Sequence, residues 1–253
     1  MSELTFFNYL LIIWFALAGV IFIALFFVVA PYGRHTAQHW GAALKSSTGW
    51  IVMECASPVI FAVCFLLGQN RDTLPVIILL ILWETHYIHR AFFYPLNRRD
   101  GDKRMPLMVV ALGFIFNCVN SYLNGHYVFT LSSGYPNHWL SDPRFIAGVL
   151  IFIFGFTINR QADFTLHNLR KKGESGYHVV NNGLFRWVAC PNYLGEILIW
   201  TGWAIATWSL AGLSFAVWTA ANLIPRARAH DRWYRRNFPE YPPNRKTLVP
   251  GIW

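Results

Sequence analysis

From Thr5 to Ala30 the chain passes no charged residue. As a helix rising about 1.5 Å per residue, that run is roughly 39 Å long, enough to cross a hydrocarbon core with tilt. Glu3, not a basic segment, precedes it, and it is too long for the apolar part of a secretory leader. It is expected to stay as a spanning helix. Six more apolar runs follow, at about Trp50–Leu67, Leu74–Tyr94, Pro106–Leu131, Pro143–Ile158, Asn192–Leu210 and Ala211–Ile224. One helix over the last two would be about 50 Å long, so two short helices with a break around Ala211-Gly212 fit better. Backbone polar groups in lipid must be satisfied within each segment. The expected fold is therefore all-α, an integral membrane bundle of seven transmembrane helices.

The charges give this bundle a direction. Hydrophobic residues make up 55% of the chain and charged ones 13%, about half the share usual in a soluble domain. The net charge of +9 would suit nucleic acid, but eighteen of the twenty-one Lys and Arg fall in segments that follow the first, third, fifth and seventh runs. Such asymmetry places the N-terminus outside and the C-terminus in the cytosol, with membrane lipids rather than nucleic acid as the surroundings. Twelve Trp, eleven Tyr and twenty-one Phe suit aromatic belts at the interfaces. No repeat or linker divides the chain, so residues 1–253 read as a single membrane-embedded domain, expected to be a monomer. The four cysteines are scattered without ligand spacing, so neither a disulfide nor a metal site is expected.

An ionisable group at membrane depth costs at least about 2.5 kcal/mol, which makes each one a functional candidate. Here they come in stripes. Trp50 and Glu54 are spaced i, i+4. Tyr87, Arg90 and Tyr94 are spaced i, i+3, i+7, and Asn159, Asp163 and Arg170 i, i+4, i+11. Asn192 and Glu196 are again i, i+4, and Arg226, His230 and Tyr234 are i, i+4, i+8. Each set marks one helix face. With alternating helix directions, all five stripes fall in the cytosolic half of the membrane, as one polar cavity for a large charged ligand would require. The segment from His167 to Tyr177 adds basic groups and glycines able to approach phosphates. No GxGxxG follows a strand, so any dinucleotide is bound without a Rossmann unit.

These residues carry a resemblance. Tyr32-Gly-Arg-His35, Trp50-Ile-Val-Met-Glu54, His86-Tyr-Ile-His-Arg90, Asn159-Arg-Gln-Ala-Asp163, Asn168-Leu-Arg-Lys-Lys-Gly-Glu174, Gly183-Leu-Phe185 and Pro191-Asn-Tyr-Leu-Gly-Glu196 resemble the steroid 5α-reductases (3-oxo-5α-steroid 4-dehydrogenases). So do Arg226, His230, Tyr234 and the closing Pro-Glu-Tyr-Pro at 239–242. The resemblance implies NADPH in the cytosol-facing cavity and a steroid substrate entering from the lipid bilayer. Glu54 and Tyr87 would bind the steroid 3-keto oxygen. Trp50, Asn159, Asp163, Arg170, Tyr177, Asn192, Glu196, Arg226, His230 and Tyr234 would line the cofactor, with Tyr32, Arg90 and Tyr94 beside them. Met53 stands where the mammalian enzymes have Gln. His178 replaces an Arg beside the phosphates, and Lys103, in a longer loop, would take the role of another Arg. These departures imply a distant homologue of bacterial type, in a cytoplasmic membrane, or in the endoplasmic reticulum if the source is eukaryotic.

The chemistry is consistent with these residue types. Hydride addition to the β-carbon of an enone drives negative charge onto the carbonyl oxygen, so donors must be aimed there. Tyr87 is a neutral donor, and Glu54, kept as a carboxylic acid by the apolar membrane, is a second. An enoyl or sterol reductase acting on another conjugated lipid shares many of these motifs and is the main alternative. An isoprenylcysteine-type methyltransferase would leave Glu54 and Tyr87 without a task. A di-iron oxygenase would need clustered His boxes beyond His35-x-x-x-His39 and His86-x-x-His89. A transporter would be expected to show inverted repeats or broken helices.

Overall fold

The computed structural model describes residues 1–28, 41–97, 103–169 and 178–253. Among them the chain is overwhelmingly helical. Five helices are long and apolar enough to cross a membrane: Glu3–Phe27, Ser46–Leu67, Leu74–Asn97, Leu107–Leu131 and Pro143–Asn168. This is a multi-pass, all-α membrane protein. It divides into two compact units, one of Met1–Leu11 with Pro31–Ile146 and one of Ile12–Ala30 with Ala147–Trp253.

Helix α1 (Glu3–Phe27) contributes to both. It buries a narrow seam of Phe7, Leu11, Trp14 and Ala18 and exposes most of its other apolar side chains, as a lipid-facing helix must. In the first unit Glu3 pairs with His126 at 3.0 Å and Phe7 stacks on Tyr127. In the second, the Trp218 indole donates to the Trp14 carbonyl at 2.9 Å.

The first unit is built on α2 (Ser46–Leu67), which packs most extensively on α5 (Leu107–His126) and also on α3 (Leu74–Ile88). Two short antiparallel strands, β1 (Ala43–Lys45) and β2 (Arg104–Pro106), lead directly into α2 and α5 and pair Leu44 with Met105. Three residues each are too few to reveal a strand period, and the sequence reading did not include them. The clip sets α2 and α5 starting side by side. Helix α3 passes through a π-helical turn, His89–Phe93, into α4 (Tyr94–Asn97), with the Tyr94 N–H bonded to the His89 carbonyl. The core holds Phe61 stacked on Trp83 at 4.3 Å, with Phe129 edge-on to Phe61.

The second unit holds α6 (Pro143–Asn168), α7 (Pro191–Thr207) and α8 (Leu210–Asn237). Glycines let α6 and α7 touch backbone to backbone. A Cβ placed on Gly155 would lie 2.7 Å from the Gly195 carbonyl, and one on Gly202 would lie 2.6 Å from the Gly148 carbonyl. The two pairs repeat at seven residues on each helix, so the contact continues along the seam. The break between α7 and α8 falls at Trp208-Ser209, slightly before the Ala211-Gly212 pair suggested by the sequence. Trp208 takes a left-handed conformation (φ 45°), and the Ser209 hydroxyl caps α8 by accepting from the Gly212 N–H at 2.9 Å. Helix α8 continues through Pro225 and well beyond the apolar run that ends at Ile224. Its polar end is tied to the tail through Asp231, which accepts from Arg235, Tyr241 and Thr247.

Asp142 stands just before α6, with Pro143 as the first helical residue. Its carboxylate accepts from the Arg144 N–H at 2.9 Å and pairs with the Arg144 guanidinium at 2.7 Å. The side-chain hydrogen bond from Arg144 holds the carboxyl down to about 2, below the ordinary carboxylate range. Because the folded value is depressed, its contribution is present above that ordinary range and is lost as pH falls through about 2. Acid melting curves of Asp142→Asn should therefore diverge from wild type at neutral pH and converge towards pH 2. Parallel curves over the whole range would contradict this cap.

Candidate active site

Pro58 disturbs α2 at the turn that carries Glu54. It has no N–H to give the Glu54 carbonyl, and its ring crowds that carbonyl. The Glu54 side chain is buried, and both its oxygens are engaged, one from the π-helical turn and one from α5. Arg90 Nε lies 3.3 Å from Oε1, and Asn117 Nδ2 lies 3.4 Å from Oε2. Trp50, one turn earlier on α2, donates its indole N–H to the Arg90 carbonyl at 3.1 Å, and its ring lies 5.2 Å from the Arg90 guanidinium. Tyr94 meets Trp50 at 5.4 Å between ring centroids. Four residues proposed from spacing alone, Trp50, Glu54, Arg90 and Tyr94, are thus brought together.

The π-helical turn shapes this cluster. Wider turns of this kind are frequent at functional sites, and this one offsets the register between Arg90 and Tyr94. Tyr87 sits just before it, 3% exposed, its ring packed on Trp83 at 5.0 Å and on His86 at 5.1 Å. Lys103 is exposed, and its carbonyl accepts from the Ser46 N–H at the start of α2.

Sequence reading missed the α5 side of this site. Asn117, Asn120, Ser121 and Asn124 follow i, i+3, i+4, i+7 and are all buried. Asn117 Nδ2 donates to the Met53 carbonyl at 2.8 Å as well as to Glu54, and Ser57 donates to Asn117 Oδ1 at 3.0 Å. Ser121 in turn donates to Ser57 at 2.9 Å. The signal was present as a helical stripe of neutral polar residues in an apolar run. A search for ionisable groups passes over it.

In the second unit a buried glutamate again has both oxygens held. Asn159 of α6 donates to Glu196 Oε1 at 3.2 Å and to the Asn192 carbonyl at 3.1 Å, and the Trp200 indole donates to Glu196 Oε2 at 3.1 Å. The glycine seam makes this reach possible, since Gly155 lies one turn before Asn159 and Gly195 immediately precedes Glu196. Asp163 is paired with Arg160 at 2.6 Å, a partner the sequence had suggested only as a basic flank. His230 of α8 lies 3.5 Å from the Tyr193 hydroxyl, and the Arg226 guanidinium lies 5.8 Å from the Tyr193 ring. Tyr234, two turns after Arg226, stacks on Tyr241. His178 is exposed. Tyr32, Arg170 and Tyr177 lie outside the described residues.

Residues 103–253 match the family of 3-oxo-5-alpha-steroid 4-dehydrogenases. Over 258 aligned residues the chain is 39% identical to steroid 5-alpha-reductase DET2 of Gossypium hirsutum, covering 100% of this chain and 99% of that one. The chain belongs to the steroid 5α-reductase family. Other members of the family are similar at comparable levels. The 3-oxo-5-alpha-steroid 4-dehydrogenase 1 of Bos taurus is 38% identical over 241 residues, 94% of this chain and 93% of its own. The Homo sapiens protein of the same name is 37% identical over 224 residues, 88% and 86% of the two chains. The present 5α-reductase family member is accordingly an oxidoreductase. Glu54 and Tyr87 precede the family match that begins at residue 103, but the full-length alignments to the plant reductases extend over them.

Proposed function

We propose that this reductase uses NADPH to reduce the C4=C5 bond of a 3-oxo-4-ene steroid to the 5α-dihydrosteroid. The observation that carries the proposal is Glu54, buried within a spanning helix, with Arg90 and Asn117 on its two oxygens, in a chain that aligns end to end with named steroid 5α-reductases. NADPH, when bound, would supply the hydride for C5, and solvent would supply the proton that C4 takes up. Tyr87 and Glu54 donate to the 3-keto oxygen, where negative charge accumulates as the hydride arrives. A carboxylic acid can donate its proton while its oxygens still accept, so the contacts from Arg90 and Asn117 leave Glu54 able to serve.

The residues of the second unit suit a dinucleotide. Arg226 and His230 are phosphate-binding types one turn apart on α8, and Asn159, Asn192 and Glu196 offer amides and a carboxylate for ribose hydroxyls or a nicotinamide amide. The family resemblance assigns Asp163, Arg170, Tyr177, His178 and Tyr234 to the same cofactor, as it does Trp50, Arg90, Tyr94, Lys103 and Tyr32. The protein acts as a single-domain monomer of seven spanning helices, N-terminus outside and C-terminus cytosolic. The placement of the basic residues supports that orientation. The steroid enters from the bilayer, a bacterial cytoplasmic membrane or, for a eukaryotic source, the endoplasmic reticulum.

The test is conversion of progesterone or testosterone by the purified protein in mild detergent with NADPH, followed by mass spectrometry. A 5α-dihydro product is expected. Tight NADPH binding with no turnover of any 3-oxo-4-ene steroid would discard the steroid and direct the search to other conjugated lipids.

A further inference from the structure

We infer that Ser57, Asn117 and Ser121 are positioning residues that orient the Glu54 carboxyl through a one-directional hydrogen-bond chain across the α2/α5 interface. The inference rests on the reading of Glu54 as the group that polarises the substrate carbonyl. The direction of the chain follows from its fixed end. A backbone carbonyl only accepts, so the Asn117 atom 2.8 Å from the Met53 oxygen must be the amide nitrogen. That nitrogen is also the atom facing Glu54 Oε2, at 3.4 Å. The amide oxygen is thereby turned to Ser57, whose hydroxyl must donate to it at 3.0 Å. Ser57 can then only accept from Ser121, at 2.9 Å. Every donor in the chain points towards Glu54.

Such a chain orients and does not conduct. Passing a proton through Asn117 would require the amide to become an imidic acid, so the lattice is no proton wire. Its burial makes the orientation costly to reverse. Ser57 and Ser121 are fully buried and Asn117 is 4% exposed, so water cannot replace a lost partner. Turning the amide over would set its oxygen against the Met53 carbonyl, which has no proton to give. Arg90 holds Oε1 from the π-helical turn while Asn117 holds Oε2 from α5. The carboxyl plane is therefore fixed from two sides, which is what a donor aimed at a developing oxyanion needs.

The test is Ser57→Ala, which removes one oxygen atom and leaves Glu54 and Asn117 in place. Its kcat for progesterone reduction is expected to fall about tenfold, the scale of one buried hydrogen bond. KM for NADPH should remain at the wild-type value, the melting temperature should fall because the Asn117 oxygen loses a buried partner, and Ser57→Thr, which keeps the hydroxyl, should recover the rate. A second readout needs no turnover. The infrared carboxyl band of Glu54, isolated by subtracting the Glu54→Gln spectrum, should shift in Ser57→Ala and in Asn117→Leu. An unmoved band, or a wild-type kcat measured well below the melting temperature, would overturn the inference. If the wild type reduces no steroid, the functional reading fails while the infrared comparison still decides the lattice.

Discussion

Tyr87→Phe and Glu54→Gln are each expected to slow steroid reduction by about 10²–10³-fold with NADPH still bound. That is the cost of removing one donor from a preorganised oxyanion site. The two substitutions remove different things. Phe keeps the Tyr87 ring in its packing against Trp83 and His86 and deletes only the hydroxyl. Gln keeps an oxygen for Arg90 but replaces the acidic hydroxyl with an NH2 group, which cannot accept from Asn117. The Gln variant should therefore also lose some stability, because the buried Asn117 amide loses an acceptor. Tyr87→Phe should not. Comparing kcat with the melting temperature for both variants separates chemistry from folding. Turnover within twofold of wild type in both would remove Glu54 and Tyr87 from the mechanism.

Hydropathy made the five long apolar helices legible in the sequence, because lipid imposes one rule on every segment that crosses it. Helical spacing also picked out side chains that the fold brings together: Trp50 and Glu54 both reach Arg90, Tyr94 meets Trp50, and Asn159 reaches Glu196. What escaped has physical reasons. The β1/β2 clip is three residues per strand, too short for any period. The turn at Trp208-Ser209 uses a tryptophan in a left-handed conformation, where sequence leads the eye to the nearby Gly212. The π-helical turn His89–Phe93 depends on a carbonyl five residues back, which no residue type announces. The amides of α5 were hidden because Asn and Ser are tolerated in spanning helices for packing as well as for function. Arg160 looked like a flank until α6 proved to continue past Ile158 and to place it one turn from Asp163.

The glycine seam carries the second large effect. A methyl group at Gly195 would stand 2.6 Å from the Asn159 backbone nitrogen and 2.7 Å from the Gly155 carbonyl oxygen. Both are backbone atoms, so no side-chain rotation can relieve the clash and α6 must move away from α7. Overpacking of this kind costs about 1–3 kcal/mol. The movement also withdraws Asn159 from its bonds to Glu196 and the Asn192 carbonyl, at 3.2 and 3.1 Å. Gly195→Ala is therefore expected to lower the melting temperature and to weaken NADPH binding by at least tenfold, which is about 1.4 kcal/mol. Gly195→Val should be worse on both counts. Gly19→Ala is the control, since a Cβ there meets nothing within 4 Å, and it should change neither property. NADPH titration beside thermal melting in detergent reads both effects. If Gly195→Ala melts and binds like Gly19→Ala, the backbones of α6 and α7 are not in contact at Gly195. If it melts lower yet binds NADPH normally, the seam is structural and Asn159 does not hold the cofactor.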